Sequence, residues 1–190
     1  MATNLSPPDP RKLALLLRTA RVISAVVIAV GLTVLYGWIA HIPALLSVLP
    51  GLVAMKVNTA ISIICCGASL LISSWNWKSG ACPLPWRAAA FGLAFVAFLT
   101  GVLSGCESIF SIDFGIDQTF FQDPTTAGPV HPPGRMSPIT SANFIFLGSA
   151  LMFLAGRATP QFVQLLACGS GFLSLVVLTG TSYGDRKSVV

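Results

Sequence analysis

Charge is scarce in this sequence. Only 9% of its 190 residues are charged and 54% are hydrophobic, whereas about 25% of a soluble domain is usually charged. An ordinary soluble domain is therefore excluded as the first interpretation, and a membrane protein is favoured. The formal charge is +5, but the basic residues lie at the ends of apolar runs and form no cluster with interleaved aromatic residues. No nucleic-acid partner is expected.

Patterns that carry catalysis or bind metals are also missing. The five cysteines form no CxxC pair, and the two histidines form no metal-ligand motif. No Ser/His/Asp or Cys/His arrangement has a spacing that indicates catalysis. We therefore expect no catalytic residue, no metal site and no cofactor, and we interpret the cysteines as small apolar residues of helices.

Long apolar runs are what the chain does contain, and they predict an all-α, polytopic transmembrane bundle of about five helices. Each run has about 18 or 19 residues, enough to cross the roughly 30 Å hydrocarbon core at about 1.5 Å per residue. The predicted helices are residues 22–40, 57–75, 88–105, 139–156 and 162–180. Residues 1–21 are expected to be a cytoplasmic tail with a basic flank; a cleaved signal peptide is the alternative for the first run.

The distribution of basic residues predicts the orientation. With the N-terminus inside, seven Lys and Arg residues lie on the inner side and four on the outer side. The positive-inside rule therefore predicts a multi-pass inner-membrane protein with a cytoplasmic N-terminus. Residues 106–138 then form a long outer loop.

That loop holds most of the acidic residues and the candidate ligand-binding residues. Glu107, Asp113 and Asp117 lie within eleven positions, and carboxylates suit a hard cation or a cationic ligand. Gln118 and His131 complete the candidate set. The alternative, which the sequence favours, is that these are ordinary solvated loop residues.

An internal repeat organises the helices. Residues 55–70 align without gaps on residues 136–151, so that Met55 matches Met136 at an offset of 81 positions. A helix pair, the second and third helices, is thus expected to recur as the fourth and fifth in the same orientation. Small and polar residues here are expected to mediate helix packing; they are Asn58, Thr59, Gly67, Thr140 and Gly148. Asn143 is expected to hydrogen-bond to a neighbouring helix. Duplication kept for packing alone is the alternative to a functional repeat.

Three stretches carry a family resemblance: MKVNTA at 55–60, ESIFSIDFGIDQ at 107–118 and PGRMSP at 133–138. They resemble the N-terminal multi-helix membrane region of bacterial sensor histidine kinases, a region also found ahead of diguanylate cyclase modules. The resemblance covers about residues 22–184. It implies a sensing and anchoring region of a two-component receptor, a homodimer, and a cytoplasmic output module beyond this region.

The sequence departs from that family in two respects. The second copy of the repeat has Ile139 where the first has Asn58, and the chain contains neither a phosphoacceptor histidine box nor a nucleotide-binding glycine motif. Enzymatic activity is therefore implied only for a longer protein. Residues 185–190 match the translation of a common short-read sequencing adapter, so we expect this tail to be non-native and the chain to be a fragment. A small self-contained transporter or channel, or a structural membrane protein, remain as alternatives.

Overall fold

The fold is taken from a computed structural model, which describes residues 9–46, 54–75, 82–110, 112, 115 and 136–184. Within these residues there are five α-helices, a short 3₁₀ turn at Pro43–Leu45, and no β-strand. The helices are α1, Pro10–Ile39; α2, Val57–Ser74; α3, Leu84–Phe110; α4, Pro138–Gly156; and α5, Pro160–Gly184. The predicted all-α class is confirmed.

All five helices are long and apolar enough to cross a membrane. The shortest, α2, has 18 residues, which corresponds to about 27 Å of helix. Large apolar side chains on the outside are widespread: Leu165, Phe172 and Leu178, for example, are more than half exposed. Such a surface is expected where lipid replaces water as the solvent, and the described helices indicate a multi-pass membrane protein.

Helix ends lie further out than the apolar runs predicted. α1 begins twelve positions before residue 22, at Pro10, because Asp9 accepts a hydrogen bond from the backbone N of Arg11 at 2.9 Å and proline suits the first helical turn. At its other end, α3 continues through Cys106 to Phe110, so the first five residues of the predicted loop are helical.

Consecutive helices pack against one another, and α2 also contacts α4. α3 therefore lies against both α2 and α4. On the α2 side, the Ser69 hydroxyl donates to the carbonyl oxygen of Ala90 at 2.8 Å. The main core cluster joins the three helices through small and medium side chains: Cys66, Ala94, Ala97, Met136, Phe144 and Leu151. Small residues allow close backbone approach, which is the main source of helix association in lipid.

Glycines give the repeat a structural meaning. A Cβ at Gly67 would lie 2.8 Å from Ile28 Cγ1 of α1, and a Cβ at Gly148 would lie 2.8 Å from the backbone N of Phe98 of α3. The two glycines are equivalent in the sequence repeat. Each therefore brings its helix into close contact with the helix that precedes it.

A second pair of glycines shows the same relation from the other side. Gly31 of α1 faces Ala60 and Ile64, whereas Gly101 of α3 faces Ser141 and Ile145. The last two lie 81 positions after Ala60 and Ile64. The α1–α2 contact is thus repeated as the α3–α4 contact, a relation that the sequence alignment, which began at the second helix, did not include.

Candidate functional site

Glu107 is the most unusual residue in the described part of the chain. It lies in the last turn of α3 and is 0% exposed. The interpretation of Glu107 as a solvated loop acid is therefore wrong. The reason is that α3 continues past the end of its apolar run and carries the carboxyl group into the helix bundle. An acidic residue buried in a transmembrane bundle is costly, and such residues commonly mark functional sites.

Buried hydroxyl groups lie near this carboxyl group. Ser104, one turn before Glu107, is 1% exposed, and its Oγ has no hydrogen-bond partner in the described structure. Ser141 of α4 is equally buried, and its hydroxyl donates to the carbonyl oxygen of Ser137 at 3.2 Å. A Cβ at Gly105 would lie 3.8 Å from Ser141 Cβ. The end of α3 and the beginning of α4 are thus in contact, with polar groups on both.

Ser137 fixes where α4 begins. Its hydroxyl accepts a hydrogen bond from the backbone N of Thr140 at 3.2 Å and lies 2.8 Å from Thr140 Oγ1. Thr140, expected to pack between helices, therefore takes part in an N-cap. The equivalent of Ser137 in the first copy is Lys56, which caps α2 without a side-chain hydrogen bond. The two copies consequently differ at the end of the bundle where Glu107 lies.

Asn143 forms the polar contact between α4 and α5. Its Nδ2 donates to Ser174 Oγ at 3.0 Å, and its Oδ1 accepts from Ser170 Oγ. The expectation that Asn143 hydrogen-bonds to a neighbouring helix is confirmed. Asn58 is 6% exposed and lies in the first turn of α2, a buried position of the kind expected for a packing residue.

The other predicted site residues have mixed outcomes. Gly67 and Gly148 lie at close helix contacts, as predicted, and Thr59 is half-buried in α2. Asp113, Asp117, Gln118 and His131 lie outside the described residues, so their proposed ligand role stays a prediction. Among the described residues no group of three or more His, Cys, Asp or Glu side chains is arranged to hold a metal ion.

A sequence signal for the burial of Glu107 does exist. The buried residues of α3 before it follow alternating spacings of three and four positions: Ala90, Ala94, Ala97, Gly101 and Ser104. Three positions after Ser104 this stripe reaches Glu107, which a helical face extended beyond the apolar run would have placed in the interface.

The comparisons with known proteins add no identity to this geometry. No protein-family model, curated protein or solved structure matches the chain.

Proposed function

We propose that the chain is the sensing and anchoring region of a bacterial two-component sensor kinase, in the inner membrane with its N-terminus in the cytoplasm. The observation that carries the proposal is the fully buried carboxyl group of Glu107. The motifs at 55–60, 107–118 and 133–138, which resemble the membrane regions of sensor kinases, support it. So do the basic residues before the first apolar run, which favour a cytoplasmic N-terminus.

The position of Glu107 gives a physical route for sensing. A buried acid makes the packing of α3 against α4 sensitive to small displacements, because exposing or reburying a charge changes the free energy strongly. A stimulus at this end of α3 would favour one of two packings of the bundle. The signal is then a change in the population of two helix arrangements.

The opposite end of α3 provides the output of that route. Arg87 Nε donates to the carbonyl oxygen of Ala155 at 3.1 Å, near the end of α4. Arg157, which follows α4, adopts a left-handed conformation with φ of 60°. A displacement of α3 at Glu107 would therefore reach the membrane side on which α1 begins, where the proposed output module lies.

The first test is a long sequencing read of the native gene through the codon for Gly184. We expect the reading frame to continue into a PAS, kinase or GGDEF region. A native stop codon directly after Val190 would contradict the sensor-kinase proposal. In the full-length receptor, Glu107→Gln should change autophosphorylation at least severalfold, whereas Thr33→Val, which removes an exposed hydroxyl bonded within α1 at 2.9 Å, should leave it unchanged.

The same residue also favours a second candidate, a small ion transporter, because intramembrane acids often lie on ion or proton pathways. Flux through proteoliposomes that contain this chain alone would distinguish the two. A transporter should move cations or protons in a manner that Glu107→Gln abolishes. The sensor region should give the same low leak in both forms.

A further inference from the structure

The beginning of α1 extends beyond the rest of the helix bundle. A Cβ at Gly67 would lie 3.2 Å from the carbonyl oxygen of Ser24, which places these two residues opposite each other in the antiparallel pair. α2 ends at Ser74, seven positions after Gly67. The residues of α1 before Leu17 therefore lie beyond the end of α2.

This extension has two different faces. Leu13, Leu17 and Ala20 continue the face that carries Ser24, which packs on α2, because positions three, four and seven apart share one side of a helix. The cations Arg11 and Arg18 lie seven positions apart on the opposite side. Both are exposed. They project away from the bundle, towards the surrounding lipid.

We propose that Arg11, Lys12, Arg18 and Arg21 form a binding surface for the headgroups of anionic phospholipids. Four cations lie within eleven positions, and the one acid beside them, Asp9, is occupied as the helix cap. The apolar span of α1 begins directly after Arg21, so this segment lies at the headgroup level. Arginine is suited to bidentate contacts with phosphate.

The surface does not depend on the sensor assignment. It requires only that α1 crosses a bilayer, which fixes the distance between the cations and the phosphate layer. Juxtamembrane cations attract anionic lipids, and each engaged cation is expected to raise the preference for them about fivefold.

Native mass spectrometry of the protein purified from micelles with equal amounts of phosphatidylcholine and phosphatidylglycerol tests the proposal. We expect the wild-type protein to retain at least about fivefold more phosphatidylglycerol than phosphatidylcholine. The R11Q/K12Q/R18Q/R21Q variant should show no preference, and R11K/R18K/R21K should keep most of it. Equal retention by the wild-type protein and the glutamine variant would overturn the proposal.

A second variant guards against misfolding. R11Q/R18Q changes only two exposed side chains and leaves the Arg21 Nε hydrogen bond to the Leu17 carbonyl oxygen intact. It should reduce the lipid preference by at least about fivefold with an unchanged helical circular dichroism spectrum. As a control, Lys56→Gln, at the other end of the bundle, should retain the wild-type preference. Loss of preference in Lys56→Gln alone would place the lipid site elsewhere and refute the assignment to α1.

Discussion

Substitution of Gly148 by alanine tests the contact on which the α3–α4 pair depends. A Cβ at this position would lie 2.8 Å from both N and Cβ of Phe98, and 2.9 Å from its Cα. Carbon atoms pack at about 3.5–4.0 Å, so α3 would have to recede by about 0.7–1.2 Å. A gap of about 0.5–1 Å already forfeits roughly a quarter to a half of the dispersion attraction.

The expected cost follows from two opposing effects. Overpacking of a well-packed contact typically costs about 1–3 kcal/mol. Alanine in place of a helical glycine returns about 0.5–1 kcal/mol. Because the atoms in the way belong to the backbone of Phe98 and cannot rotate aside, we expect Gly148→Ala to lower the free energy of unfolding by about 1–2 kcal/mol.

Unfolding by sodium dodecyl sulfate in mixed micelles, followed by circular dichroism, measures this change. Gly92→Ala is the matched control, since nothing lies within 4 Å of a Cβ at Gly92, and it should be neutral or stabilising. Gly67→Ala should cost less than Gly148→Ala, because the atom 2.8 Å away there is Ile28 Cγ1 of a side chain that can change rotamer. If Gly148→Ala were as stable as Gly92→Ala, the proposed close contact between α3 and α4 would be refuted.

Three further predictions use the same unfolding assay. Asn143→Leu removes both side-chain hydrogen bonds to α5 and should cost about 0.6–2 kcal/mol. Ser137→Ala removes the N-cap of α4 and should cost about 1 kcal/mol, whereas Ser137→Asp should restore most of the loss. Arg87→Leu removes the donor to Ala155 and should cost about 1 kcal/mol, while Arg87→Lys should recover part of it.

Each of these predictions has a contradicting result. Unchanged stability of Asn143→Leu would mean that apolar packing alone holds α5 against α4. Equal stability of the alanine and aspartate variants at Ser137 would exclude capping as its role. A wild-type stability for Arg87→Leu would show that α3 and α4 are not joined through this side chain.

The centres of the helices could be predicted from the sequence, whereas their ends could not. Runs of about 18 apolar residues determine where the chain crosses a membrane, because an unpaired backbone is costly in lipid. The end of a helix depends on local hydrogen bonds instead. Asp9 extends α1 well before its apolar run, and the Ser108 hydroxyl donates to the Ser104 carbonyl oxygen at 2.9 Å in the polar end of α3.

The candidate site was predicted only in part, for a related reason. Glu107 was selected from the sequence as a candidate ligand-binding residue, yet its environment was wrong, because charge alone favoured a solvated loop. Its burial follows from the phase of the α3 face that includes Ser104, combined with the packing of α4 against that face. The role of Asn143 was easier to predict, since an amide in an apolar run must find a partner on a neighbouring helix.

The repeated contact of α1 with α2 and of α3 with α4 has a consequence for how such a protein can evolve. A unit of two helices that enters and leaves the membrane returns the chain to the side from which it started. Duplication of that unit adds two crossings without reversing anything downstream, and Gly148 provides for the new pair the same close approach that Gly67 provides for the old one. The fold can therefore lengthen by whole units, and each copy is then free to acquire its own polar residues, as Lys56 and Ser137 already illustrate.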